Sequence, residues 1–83
     1  MHYVYILLSL KDYKFYVGYT SSLKRRISEH QAAKVKSTKN RLPIRLLCFE
    51  AYRSKQEAQR REKYLKSSDG RKDLRKRLIL TID

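Results

Sequence analysis

Phe15-Tyr16-Val17-Gly18-Tyr19-Thr20-Ser21-Ser22-Leu23-Lys24-Arg25-Arg26-Ile27-Ser28-Glu29-His30 is the stretch in which the hydrophobic period changes. Phe15 to Tyr19 are aromatic, β-branched or Gly, as a short strand requires, and beyond Thr20 the apolar residues Leu23 and Ile27 recur at helical spacing. A strand passes into a helix here. Thr20, Ser21 or Ser22 is expected to accept a hydrogen bond from one of the first free N–H groups of that helix and so fix its start. Ser22, Arg26 and His30 are four residues apart and share one face, while Leu23 and Ile27 share a neighbouring one. The element sets a strand tyrosine beside a guanidinium and an imidazole, a combination suited to chemistry on a phosphate.

Outward from this stretch, Tyr3 to Ser9 reads as a strand with Val4, Ile6 and Leu8 on one face and Tyr3, Tyr5 and Leu7 on the other. Both faces are apolar or aromatic, which predicts the centre of a sheet covered on both sides. Lys11-Asp12-Tyr13-Lys14 suits a hairpin connection to Phe15–Tyr19, with Asp12 as a turn former. On that second strand Tyr16 and Gly18 share a face, opposite Phe15, Val17 and Tyr19. Gly18 then leaves bare backbone that a phosphate or another part of the chain can approach. The first helix is expected from Ser22 to Ala33. A basic loop, Lys34 to Pro43, follows.

Ile44 to Tyr52 reads as a third strand, with Leu46, Cys48 and Tyr52 on one face and Leu47, Phe49 and Ala51 on the other. Ser54-Lys55-Gln56-Glu57 has the pattern of a capping box and opens a second helix with Ala58 and Leu65 inward. Ser67-Ser68-Asp69-Gly70 reads as its stop, with Gly70 in the left-handed position after the last turn. A third, basic helix is expected over roughly Arg71 to Leu80, with Leu74, Leu78 and Ile82 apolar. The expected fold is α/β, a three-stranded antiparallel sheet flanked by helices, in one domain over residues 1–83.

Twenty-one Lys and Arg stand against eight Asp and Glu, a formal charge of +13 that calls for a polyanionic partner, nucleic acid and first of all DNA. The charge is spread along the chain and interleaved with seven Tyr, which suits nucleic acid better than a membrane surface. Arg25, Lys36, Lys39 and Arg41 are candidates for contact with its backbone, although a basic run is ordinarily a solvated face. The single Cys48 excludes an internal disulfide and, with His2 and His30 the only other soft ligands, argues against structural zinc. With no leader and no bilayer-length apolar run, a cytoplasmic location is expected.

Hydrolysis of a phosphodiester needs an activated water, charge stabilisation and help for the leaving oxygen. His30 is one possible base. A tyrosine is another if surrounding cations favour its phenolate, and Tyr3, Tyr5 and Tyr16 fall on one sheet face if the hairpin register permits. Arg26 offers a planar fork of donors to a phosphate. By default, though, His30 is an exposed helical residue, and Glu62 on spacing alone is a surface partner for Lys66 one turn on.

Tyr3-Val4-Tyr5, Tyr16-Val17-Gly18, Arg26, His30, and Glu62 within Ala58–Lys66, in that order, resemble the GIY-YIG nuclease family, most closely its small single-domain branch. More distantly the chain resembles the N-terminal domain of the excision-repair nuclease subunit and homing endonucleases. The resemblance spans nearly the whole chain and implies a metal-dependent DNA endonuclease. It casts Tyr5 and Tyr16 as the motif tyrosines, one acting on the attacking water, and Gly18 as the motif glycine. Arg26 becomes the catalytic arginine, His30 the residue near the scissile phosphate, and Glu62 the ligand of one Mg²⁺ or Mn²⁺. Three departures stand out. Tyr3 occupies the place of the motif Gly, Tyr19 a place where some branches carry Lys for nucleic-acid contact, and Gln31-Ala32-Ala33 the place of Asn-x-Gly. An idle nucleic-acid-binding module and a subunit that needs a protein partner are the competing readings, and the oligomeric state is left open.

Overall fold

The computed structural model describes residues 1–78, so the expected helical residues Leu80 and Ile82 lie outside it. Strands β1 (His2–Ser9), β2 (Phe15–Thr20) and β3 (Ile44–Tyr52) form an antiparallel sheet in the order β2-β1-β3. The strand that is apolar on both faces is the central one, as its alternation requires. Helix α1 (Leu23–Gln31) lies over one face. Helices α2 (Lys55–Lys66) and α3 (Ser68–Arg77) cover the other, where Val4, Ile6, Leu8, Phe15 and Val17 meet Ala58, Leu65, Leu74 and Leu78 in the main core. Among the described residues no helix is long and apolar enough to cross a membrane.

Four local expectations are corrected by the backbone. The side chain of Ser22 makes no capping bond at the start of α1. Instead the Thr20 hydroxyl accepts from the Ser22 N–H at 3.0 Å, a turn that ends β2 before the helix begins. At the other end α1 stops at Gln31 rather than Ala33, because Ala33 turns into the left-handed region with φ 61° and the Lys34 N–H reaches back to the Glu29 carbonyl at 3.0 Å. This is the position at which the Asn-x-Gly pattern carries its glycine. Ala33 therefore bears a steric cost that Gly would not. Ala33→Gly is expected to stabilise the fold by about 0.5–1 kcal/mol, a rise in Tm of several degrees in thermal denaturation; an unchanged or lower Tm would contradict it.

Gly70 does not take a left-handed conformation. Ser67 ends α2, its N–H donating to the Tyr64 carbonyl, and its hydroxyl accepts the Gly70 N–H at 3.1 Å to start α3 at once. A Cβ on Gly70 would overlap the Tyr64 carbonyl and Leu65 Cα, so the glycine serves the close approach of the two helices. Asp69 lies in the first turn of α3, where the helix dipole favours an acid.

The fourth correction concerns β3. Ile6 faces Cys48 but Leu7 faces Leu46, so Leu47 is an extra residue in a bulge. Strict alternation fails there, and Leu46 joins Phe49 on the α1 face while Leu47, Cys48 and Tyr52 pack toward the main core. Glu50, on the same side, accepts from Arg61 at 3.0 and 3.2 Å and from the Tyr52 hydroxyl at 2.6 Å. Arg77 approaches it at 3.6 Å, and these donors hold its carboxyl below the usual range although burial opposes them. This network ties β3 to both helices.

Candidate active site

The hairpin register decides which side chains meet. Tyr5 faces Gly18 and Leu7 faces Tyr16, so both tyrosines point to the α1 side with ring centroids 6.4 Å apart. A Cβ on Gly18 would overlap the Tyr5 ring. The bare backbone at Gly18 is thus covered by the chain's own phenol, which lies across β2 because nothing stands in its way.

His30, expected by default to be an exposed helical residue, is fully buried. Its Nε2 lies 2.8 Å from the Tyr5 hydroxyl and its Nδ1 2.7 Å from Thr38 Oγ1. Its ring stands edge-on to Tyr5 at 5.5 Å and to Tyr16 at 5.2 Å. Burial, reinforced by the nearby Arg26 charge, holds His30 below the usual imidazole range, so it is neutral at pH 7. One nitrogen then donates and the other accepts. Arg26, which can only donate, lies against the Tyr5 phenol. Donor counting therefore assigns the phenol proton to Nε2 and the ring proton to Nδ1, donating to Thr38.

Burial pushes the Tyr5 pKa up to about 12, and Arg26 only partly opposes it. The expectation that the overall positive charge favours a phenolate is overturned for this residue. Desolvation at close range outweighs a diffuse field. Tyr16 is half-buried and accepts a hydrogen bond from the Ser37 hydroxyl at 3.2 Å. Arg26 is half-buried and paired with Glu29 at 3.2 Å, and both Tyr5 and Glu29 favour its charged form.

Glu62 makes the pair with Lys66 that its spacing predicts, at 3.0 Å. Its carboxylate also lies close enough to Tyr5 for its charge to oppose ionisation of the phenol. Among the described residues no three His, Cys, Asp or Glu side chains converge as a metal cage. One carboxylate is nevertheless a donor set that suits Mg²⁺ or Mn²⁺ completed by substrate phosphate and water.

Tyr19 is on the opposite sheet face, bonded to His2 Nδ1 at 2.8 Å and stacked on its ring. Arg41 is engaged with Asp12 at 3.5 Å, while Arg25, Lys36 and Lys39 are exposed. Ser37 and Thr38 had no signal of their own in a polar loop. Val35, the lone apolar residue beside them, is buried and fastens the loop down.

A family model described as the GIY-YIG catalytic domain matches residues 1–77. The UPF0213 protein CPE1444 of Clostridium perfringens is 45% identical over 67 residues, covering 80% of this chain and 71% of that protein. The UPF0213 protein NP_0776A of Natronomonas pharaonis is 43% identical over 67 residues, covering 80% and 78%. The solution NMR structure of the UPF0213 protein BH0048 from Bacillus halodurans superimposes with a TM-score of 0.55 at 43% identity, covering 88% of this chain and 80% of that one.

Proposed function

The chain belongs to the GIY-YIG family, and from that membership we propose that it is a metal-dependent endonuclease that hydrolyses phosphodiester bonds in DNA. The observation that carries this reading is the meeting of Tyr5, Tyr16, Arg26 and His30 in one cluster within electrostatic reach of Glu62. Arg26 binds the scissile phosphate and meets the charge that grows on it in the transition state. Tyr16, the more exposed of the two phenols, contacts the attacking water. Tyr5 stays protonated with its hydroxyl on His30 Nε2 and against Arg26, and His30 is a positioning residue because both of its nitrogens are occupied. Glu62 would supply an oxygen ligand to Mg²⁺ or Mn²⁺, which when bound would supply positive charge to offset that of the reacting phosphodiester.

A cleavage panel with Mn²⁺ or Mg²⁺ on supercoiled, linear, branched and single-stranded DNA tests this. Glu62→Gln is expected to lower cleavage by at least about 100-fold, as removal of the metal by chelation should. Affinity for DNA without metal should hold or rise, since a negative charge is removed. If the native chain with Mn²⁺ leaves every substrate intact, the isolated protein is an idle binder or a subunit awaiting a partner.

A further inference from the structure

Beside the tyrosine cluster, on the same face of the sheet, the structure leaves an apolar groove that the chemistry above does not use. The apolar residues of α1, Leu23 and Ile27, are only half-buried, and the residue that α1 buries completely is the polar His30. Between α1 and β3 lies a groove of about 630 Å³, walled by Tyr3, Ile27, Leu46 and Phe49 with Ser22 and Lys24 at its rim. Phe49 is 51% exposed and meets Tyr3 edge-on at 6.0 Å, which leaves a phenyl face open. Tyr3, the departure from the motif glycine, thus forms a wall of this groove. Because it makes no capping bond, the Ser22 hydroxyl is available to a ligand.

We propose that this groove receives an unpaired nucleobase of a bound strand, so that the preferred substrate is single-stranded or locally unpaired nucleic acid. The proposal rests on the reading above in taking nucleic acid as the partner. Volume and lining suit a heterocycle: two aromatic rings and two aliphatic side chains for its faces, a hydroxyl and an ammonium for its polar edge and adjoining phosphate. A formal charge of +13 favours a polyanion over an apolar peptide. Continuity points the same way, since Tyr3 is two residues from Tyr5 on β1 and Ile27 follows Arg26 on α1. A strand with its phosphate at Arg26 carries the neighbouring base toward Phe49. In a duplex that base is stacked and paired, and only an unpaired one can turn into the groove.

The test is equilibrium binding in EDTA, so that cleavage plays no part, with a labelled single-stranded oligonucleotide, the same strand bearing abasic sites, and the corresponding duplex. The native chain should bind the intact strand more tightly than either of the others. Phe49→Ala should weaken the intact strand by about 5- to 100-fold while changing duplex affinity less than about twofold. Phe49→Trp, which keeps a ring, should retain binding, and its fluorescence should be quenched by the intact strand and not by the abasic one. Equal affinity for intact and abasic strands, or an unquenched Trp, overturns the proposal. So does a Phe49→Ala change that alters only self-association in sedimentation, which makes the groove a contact between copies. Absence of cleavage with Mn²⁺ would count against the nuclease reading alone and would leave these binding results standing.

Discussion

Arg26→Ala is expected to lower the rate of metal-dependent strand cleavage by about 10²- to 10³-fold, the scale on which loss of one preorganised charged donor is felt. Its guanidinium lies against the Tyr5 phenol and is held there from α1 with Glu29 at 3.2 Å. The fold should barely notice. The ion pair with Glu29 is about one-third exposed, so its loss costs no more than about 0.5 kcal/mol. Single-turnover kinetics beside a thermal melt separates the two effects. Arg26→Lys restores the charge without the planar fork and should recover little of the rate. If Arg26→Ala cleaves within tenfold of the native chain, Arg26 does not stabilise the transition state and the proposed chemistry fails.

Gly18→Ala should be costly for both fold and activity, although it adds one methyl group. That methyl would overlap the ring and hydroxyl of Tyr5, which is itself fully buried and hydrogen-bonded to His30 at 2.8 Å. The phenol has to move, which carries an overpacking cost of about 1–3 kcal/mol, and His30 Nε2 then loses its buried partner for a further ~1–3 kcal/mol. A fall in Tm of roughly 10–20 °C is expected, with cleavage lost at temperatures where the variant is still folded. Combining it with Tyr5→Phe removes the hydroxyl from the clash and should cost less stability than the two single changes added together. An additive result, or a Gly18→Ala chain with native Tm and activity, would show that the phenol is not held across β2.

The elements and their order were legible in the sequence because short-range rules produce them. Alternation made β1 the central strand. The shift from period two to helical spacing after Tyr19 marked the β2–α1 junction, and Ser54 with Glu57 marked the start of α2, where the Glu57 N–H donates to the Ser54 hydroxyl at 3.2 Å. The boundaries that failed, Ala33 and Gly70, are places where backbone conformation depends on a carbonyl or a helix end several residues away. The bulge at Leu47 escaped for a similar reason: pairing with β1 inserts the extra residue, and the local pattern has no trace of it.

For the candidate site, the residue types and the faces within each element came from the chain alone, with Arg26 and His30 one turn apart, while the hairpin register set Tyr5 and Tyr16 on one side of the sheet. What the chain could not convey is environment. Whether Tyr5 ionises, whether His30 is exposed, and which polar group meets its second nitrogen depend on side chains 25 residues away on α1 and eight further on at Thr38. Desolvation is a property of the packed interior, and no run of neighbours in sequence encodes it. The amino-acid order determined which chemical groups are available and, within β1, β2 and α1, on which face each one lies, whereas the packing of helix and loop over the sheet decided which of them keep their protons and which still meet solvent.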